Sequence, residues 1–402
     1  MGSKLSDRVK SISYPITEIV AEAKKLEESG KKIIYLNIGD PPHYGFEPNK
    51  LVFKELYNAV NEGYNDYTHP SGLSELKDAI VKYEKKENNV VLPEENIFTA
   101  LGSSEGLQYA IASLIDPGDE ALIPSLWYPL YPNYMHLYNG KIVPYNLIED
   151  QEWKPDLDDI RTKISDKTRF ILLNNPNNPT GAVYSKKTVE KILDIAAEYD
   201  LIVISDEVYS KIIYEGDFHS TSSLTKDTCV ITSNGVSKAY ALTGWRLGWL
   251  HIIDPKNTYI EGLKSHLDKL TRTRLSANVP MQKACAAILN NSDEIIDKNN
   301  KELSKRCNYV YKRLKETPGI DVVKPKGTLF IFPRINESGN IKNDKDFVRL
   351  LLREKGVCMV HGTSFGKHGL NHFREVFLES LDALEKAHDS LDEFMKHHLN
   401  IS

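Results

Sequence analysis

The chain has 402 residues, 41% of them hydrophobic and 27% charged, with 51 basic and 56 acidic side chains and a net charge of −5. That length exceeds one ordinary domain and is enough to bury a large core. The slight acidic excess provides no basic face for nucleic acid or an anionic membrane, and no apolar run approaches the roughly 18 residues of a membrane span.

The opening residues, Met1 to Arg8, are polar and lack the apolar core of a signal peptide, so the cytoplasm is the expected compartment. A helical pattern over 16–29 follows. Short apolar runs then recur at 97–101, 121–123, 170–173, 201–204 and 230–232. Most lack alternation, as strands buried on both faces do in a parallel sheet covered by helices. Between them lie helical spacings, such as Leu107, Ile111, Leu114 and then Val189, Ile192, Ile195, Ala196. Alternating strand and helix predicts an α/β fold with a mostly parallel sheet. The last part differs. Helix dominates 257–316, short strands are predicted at 328–333, 357–360 and 373–378, and helices at 344–354 and 381–396. The expected organisation is a large domain over 46–290 and a smaller α+β domain built from 1–45 and 291–402.

Cys229, Cys285, Cys307 and Cys358 are widely spaced and form no CxxC pair, so reduced buried thiols are expected and no metal site. No GxGxxG follows a strand, and neither GxxxxGK[ST] nor HExxH occurs.

In open α/β sheets ligands bind beyond the carboxyl ends of the strands. Four polar clusters fall at those ends: Gly102-Ser103-Ser104, Asn177-Asn178-Pro179-Thr180-Gly181, Ser205-Asp206-Glu207-Val208-Tyr209, and Ser233 to Lys238. Pyridoxal phosphate (PLP) needs an amine for its aldehyde, a carboxylate for its ring nitrogen and several donors for its phosphate. Lys238 and Asp206 could supply the first two. Gly102-Ser103-Ser104 opens a helix, whose free N–H groups favour an anion. Each residue also has an ordinary reading. Asp206 could cap a helix, Lys238 could be a solvent lysine, Arg246 could form a structural ion pair and Tyr128 could be core.

The ordered set Asn178-Pro179-Thr180-Gly181, Asp206-Glu207-Val208-Tyr209, Ser237-Lys238 and Gly244-Trp245-Arg246-Leu247-Gly248 resembles the class I aminotransferases of PLP fold type I. The resemblance runs from Asn37-Ile38-Gly39-Asp40-Pro41 to His372-Phe373-Arg374. It implies that Lys238 holds the cofactor as a Schiff base and carries the Cα proton. It implies that Asp206 pairs with the ring nitrogen, that Tyr209 and Asn178 bond the phenolate oxygen, and that Tyr128 stacks on the ring. Gly102, Ser103, Ser104, Ser237 and Arg246 bind phosphate on this reading, joined by Tyr67 from a second copy in a homodimer. Arg374 grips the substrate carboxylate, with Gly39, Asn178 and Tyr14 nearby. Gly235 stands where many relatives have a serine.

Residues 16–30, Arg274 to Pro280, and Val360-His361-Gly362 resemble the alanine aminotransferase branch, which exchanges an amino group between alanine and 2-oxoglutarate. Relatives in that branch often carry arginine where Thr17 stands. Its loss removes one charge-assisted contact to a distal carboxylate, about 1.5–3 kcal/mol. Arg274 is a candidate substitute, and a structural salt bridge is an equal reading of it. Aspartate, aromatic or branched substrates, or a PLP lyase of the same fold, are the alternatives, because they share Lys238, Asp206 and Arg374.

Overall fold

A computed structural model describes residues 6–336, 339 and 341–401. Its centre is a seven-stranded sheet. In chain order the strands are β1 (Ile97–Ala100), β2 (Glu120–Pro124), β3 (Lys141–Tyr145), β4 (Thr168–Asn174), β5 (Ile202–Asp206), β6 (Val230–Gly235) and β7 (Gly248–Ile253). In space they run β1-β7-β6-β5-β4-β2-β3. Only β7 is antiparallel to its neighbours, β1 and β6; every other pair is parallel.

The unalternating apolar runs follow from burial on both faces. Phe170, Leu172, Ile202 and Ile204 pack with Leu107 and Ile111 of helix Gly102–Ala112 on one side. Their neighbours Ile171, Leu173 and Val203 pack with Val189, Ile192 and Ala196 of helix Lys186–Glu198 on the other. Alternate residues of one strand thus serve two helical layers.

A separate core joins the N-terminal helix Pro15–Glu28 to the last hundred residues. Ile19 and Ala23 meet Phe347, Leu351, Phe373, Leu391 and Phe394. Ile34–Tyr35 pairs in parallel with Val357–Cys358, and Phe373–Val376 lies between Phe330–Ile331 and Val360–His361. Helix Asp293–Glu316 links the cores, with Ile296 and Leu303 in one and Cys307, Val310 and Leu314 in the other.

The structure departs from the sequence expectations in detail. The stretch 257–316 is three helices, Ile260–Arg274, Val279–Leu289 and Asp293–Glu316. Asn278 caps the second through its side chain, with Pro280 in the first turn, where a missing N–H is harmless. The strands expected at 328–333 and 357–360 shrink to two-residue pieces. β5 and β6 run further than expected, and that extension carries Asp206 to the sheet edge.

Candidate active site

The carboxyl ends of β4 and β5 are level, and β6 runs two residues further. Asn174 lies opposite Asp206, and Asp206 opposite Ser233. Above them is a cavity whose wall includes Tyr14, Ile16, Ile38, Gly39, Ser103, Ser104, Tyr128, Tyr131, Asn174, Asn178, Asp206, Tyr209, Ser237, Lys238, Thr243, Arg246, Phe330 and Arg374. Four loops and the N-terminal segment therefore converge on one space.

Asp206 ends β5 and is buried. Its Oδ2 accepts the Tyr131 hydroxyl at 2.7 Å and its Oδ1 accepts the Val208 N–H at 3.3 Å. Burial pushes its carboxyl up to about 6, against the pull of Tyr131, Val208 and Lys238. Among the described residues no cation forms an ion pair with it.

Lys238 lies three residues beyond Gly235, the last residue of β6. Its Nζ donates to the Gly39 carbonyl at 2.6 Å and sits 6.0 Å from the Tyr209 ring centroid. Burial brings the amine down to about 8, with Asp40 the largest opposing charge. An appreciable fraction is therefore neutral near pH 7, as a nucleophilic amine requires.

Ser103 and Ser104 open helix Gly102–Ala112 beside Arg246. Gly102 has φ +76°, and a Cβ there would stand 2.5 Å from Arg246 Nη2. Only glycine lets the guanidinium lie against this turn. Arg246 donates to the carbonyls of Thr243 and Leu101. Gly235, where the resemblance leads one to expect a serine, also has a steric reason. A Cβ there would meet Leu247 O at 2.9 Å and Gly248 Cα at 3.1 Å, because antiparallel β7 runs alongside.

Arg374 is a buried cation in strand Phe373–Val376. Nη1 donates to Asn178 Oδ1 at 3.0 Å and Nη2 to Asn37 O at 2.6 Å, while Nε has no partner. The rings of Phe330 and Phe365 flank it, with centroids at 4.4 and 4.8 Å. No carboxylate among the described residues pairs with it. A guanidinium this buried calls for an anion, and Asn178 is held with its amide oxygen on Arg374.

The model of the aminotransferase class I and II family matches residues 31–381. The chain belongs to this family. It is 39% identical over 401 residues to the glutamate-pyruvate aminotransferase AlaA of Haemophilus influenzae, covering 97% of each chain. It is 34% identical over 404 residues to the alanine aminotransferase of Mycobacterium tuberculosis, covering 98% of this chain and 92% of that one. It superposes on the alanine aminotransferase structure from Pyrococcus furiosus with a TM-score of 0.96 at 45% identity, covering 98% of this chain and all of that one. The aminotransferase has the α/β fold of PLP fold type I, and it is a PLP-dependent enzyme. Its cavity fits that cofactor, with a buried carboxylate lacking a cation, an amine lowered toward neutrality and a helix start left open by glycine.

Three expectations for the aminotransferase need revision or a second copy. Thr17 is exposed and absent from the cavity wall, where its neighbour Ile16 stands instead. One residue turns a helix by about 100°, so position 17 faces solvent. Arg274 takes the structural option. It bridges Glu105 at 3.4 Å and donates to the carbonyls of Pro70 and Thr99. Tyr67 is 81% exposed and reaches nothing in the cavity of its own chain. Gly102 shapes the wall without lining it. Tyr131, Asn174, Ile16, Phe330 and Thr243 were missed. Tyr131 carries the only visible hint, an aromatic three residues after Tyr128 in a helix start.

Among the described residues no helix is long and apolar enough to cross a membrane, and no cluster of three His, Cys, Asp or Glu could hold a metal ion. All four cysteines are free and buried.

Proposed function

We propose that the enzyme moves the amino group between L-alanine and 2-oxoglutarate, giving pyruvate and glutamate in a ping-pong reaction, as a cytoplasmic homodimer. The observation that carries the reading is the pairing of two groups on one wall: Arg374, a buried cation without a counter-ion among the described residues, and Lys238, a half-buried amine brought down to about 8. One suits the α-carboxylate and the other the chemistry at Cα. The alanine and glutamate-pyruvate aminotransferases similar to this chain support the substrate.

PLP, when bound, supplies an aldehyde for the amine and a ring that absorbs the charge left at Cα. The chain does the rest. Asp206, fixed by the Tyr131 hydroxyl and the Val208 N–H, pairs with the ring nitrogen. Tyr209 and Asn178 bond the phenolate oxygen, and Tyr128 covers the ring. Gly102, Ser103, Ser104, Ser237 and Arg246 hold the phosphate, and Tyr67 of a second copy joins them. Arg374 orients the substrate through its carboxylate, with Gly39 beside it. Lys238 Nζ takes the proton from Cα and returns it. The neutral wall of Ile16, Ile38 and Phe330 suits a methyl side chain. Among the described residues Lys238, Arg246 and Arg374 are the wall's only cations, and each has a task in this scheme. The hydroxyls of Tyr14 and Tyr128, 3.3 Å apart, remain as neutral donors for a second carboxylate.

The test is the visible band of the PLP-loaded protein. L-Alanine should bleach it and 2-oxoglutarate restore it, and Lys238→Ala should abolish turnover. Bleaching by aspartate or an aromatic amino acid but not by alanine would refute the substrate. Normal turnover by Lys238→Ala would refute the mechanism.

A further inference from the structure

Next to Gly39 in the cavity wall stands an acid that the reaction scheme leaves idle. Asp40 directly follows Gly39, whose carbonyl receives Lys238 Nζ at 2.6 Å. Asp40 Oδ1 accepts the Thr243 hydroxyl at 2.5 Å. Thr243 begins the turn Thr243–Trp245, and its carbonyl receives Arg246 Nη1 at 3.0 Å. A continuous line of contacts thus runs from Lys238 through Gly39, Asp40 and Thr243 to Arg246. Gly39 passes close to Phe330, for a Cβ there would stand 3.0 Å from that ring. Among the described residues Asp40 forms no ion pair, so no other cation competes for its charge.

We propose that Asp40 is a positioning residue of the transamination, clipping the Gly39 segment to the turn before Arg246 and presenting its carboxylate to Lys238. The inference rests on Lys238 being the amine that binds PLP and moves the proton. While it carries that proton, Lys238 is an ammonium in a buried place, which is unfavourable without an anion. The charges acting on it are those of Asp40, Arg374, Arg246 and Asp206, in that order of strength, with the Tyr209 ring alongside. Two are cations that repel the ammonium. Asp206 is committed to the ring nitrogen, and Asp40 is the acid left to stabilise it. Asp40 itself faces Thr243 and lies near Tyr44.

The experiment measures PLP capture by the full-length protein freed of cofactor, as a function of pH. Only the neutral amine attacks the aldehyde, so the rate rises through the amine's pKa. The wild-type midpoint is expected at about 8. Asp40→Asn keeps the shape and an oxygen for Thr243 but loses the charge. An anion near the amine raises its pKa, so removing the anion lowers the midpoint, by about one unit. Thr243→Val keeps the charge but frees the clip, and its midpoint should fall by less. Borohydride fixation and peptide mass identify the residue modified. Fixation on Lys238 with an unmoved midpoint in a folded Asp40→Asn overturns the role of Asp40. Fixation elsewhere in the wild type overturns the assignment of Lys238 beneath it.

Discussion

Tyr131 offers a quantitative handle on the cofactor site. Its hydroxyl donates to Asp206 Oδ2 at 2.7 Å, and both side chains are buried. A hydrogen bond to a charged group contributes about 1.5–3 kcal/mol, which at 1.36 kcal/mol per unit is roughly one to two units of pKa. The bond favours the carboxylate, so Tyr131→Phe should raise Asp206 from about 6 to roughly 7–8. At pH 7 the ionised share would fall from about nine in ten to between about a half and a tenth. If only the carboxylate holds the ring nitrogen, PLP should bind roughly two- to tenfold more weakly at pH 7 and recover by about pH 9. Fluorescence titration of PLP into both cofactor-free proteins, from pH 5.5 to 9, measures the ratio of their Kd values, in which the titration of Lys238 cancels. A ratio that stays the same at pH 7 and pH 9 would refute the reasoning and leave Tyr131 as packing.

Arg374→Ala should lower kcat/KM for alanine by roughly 10²–10⁴, the loss of two charge-assisted bonds. Steady-state kinetics against an amine lacking a carboxylate checks it, since an equal fall for both would show that Arg374 does not read the carboxylate. Thr17→Arg should leave the KM for glutamate within about twofold, since the side chain points to solvent; a clear tightening would place position 17 on the substrate. Gly181→Ala should destabilise the fold by about 2–5 kcal/mol. Gly181 has φ +74°, and a Cβ would meet Pro325 Cβ at 2.5 Å and Phe330 O at 2.8 Å. Urea unfolding measures it, and a loss below about 0.5 kcal/mol would show that the loop yields.

Much of this was legible because parallel strands covered on both faces leave a distinctive trace. Ile202-Val203-Ile204 is apolar at every position since its neighbours serve opposite layers. Motifs then fell where those strands had to end. β7 was illegible. Trp249 and Leu250 face different cores as in any buried strand, and nothing local declares the reversed direction. Tyr131 was hidden for a related reason. Tyr128, Tyr131 and Tyr134 are spaced like an ordinary helix face, and the partner that gives Tyr131 meaning lies 75 residues away. Thr17 shows the limit of matching by position. The residue expected to stand where relatives carry an arginine faces outward here, and its neighbour Ile16 takes the wall.

The place of β7 in the sheet has a consequence for the order of synthesis. Among the described residues β1 is an edge strand whose sole partner is β7, although β1 ends at residue 100 and β7 begins at residue 248. The turn at Gly102 and Ser103 rests on that late strand, for a Cβ at Gly248 would stand 2.7 Å from Gly102 C and Ser103 N. A nascent chain emerging from the ribosome can therefore assemble β4, β5 and β6 while β1 still waits unpaired. The turn proposed to hold the phosphate gains this support only after Gly248 has arrived, by which time Asp206 and Lys238 are already in the chain. A chain halted short of that point would carry Lys238 and Asp206 yet lack the strand that backs this turn.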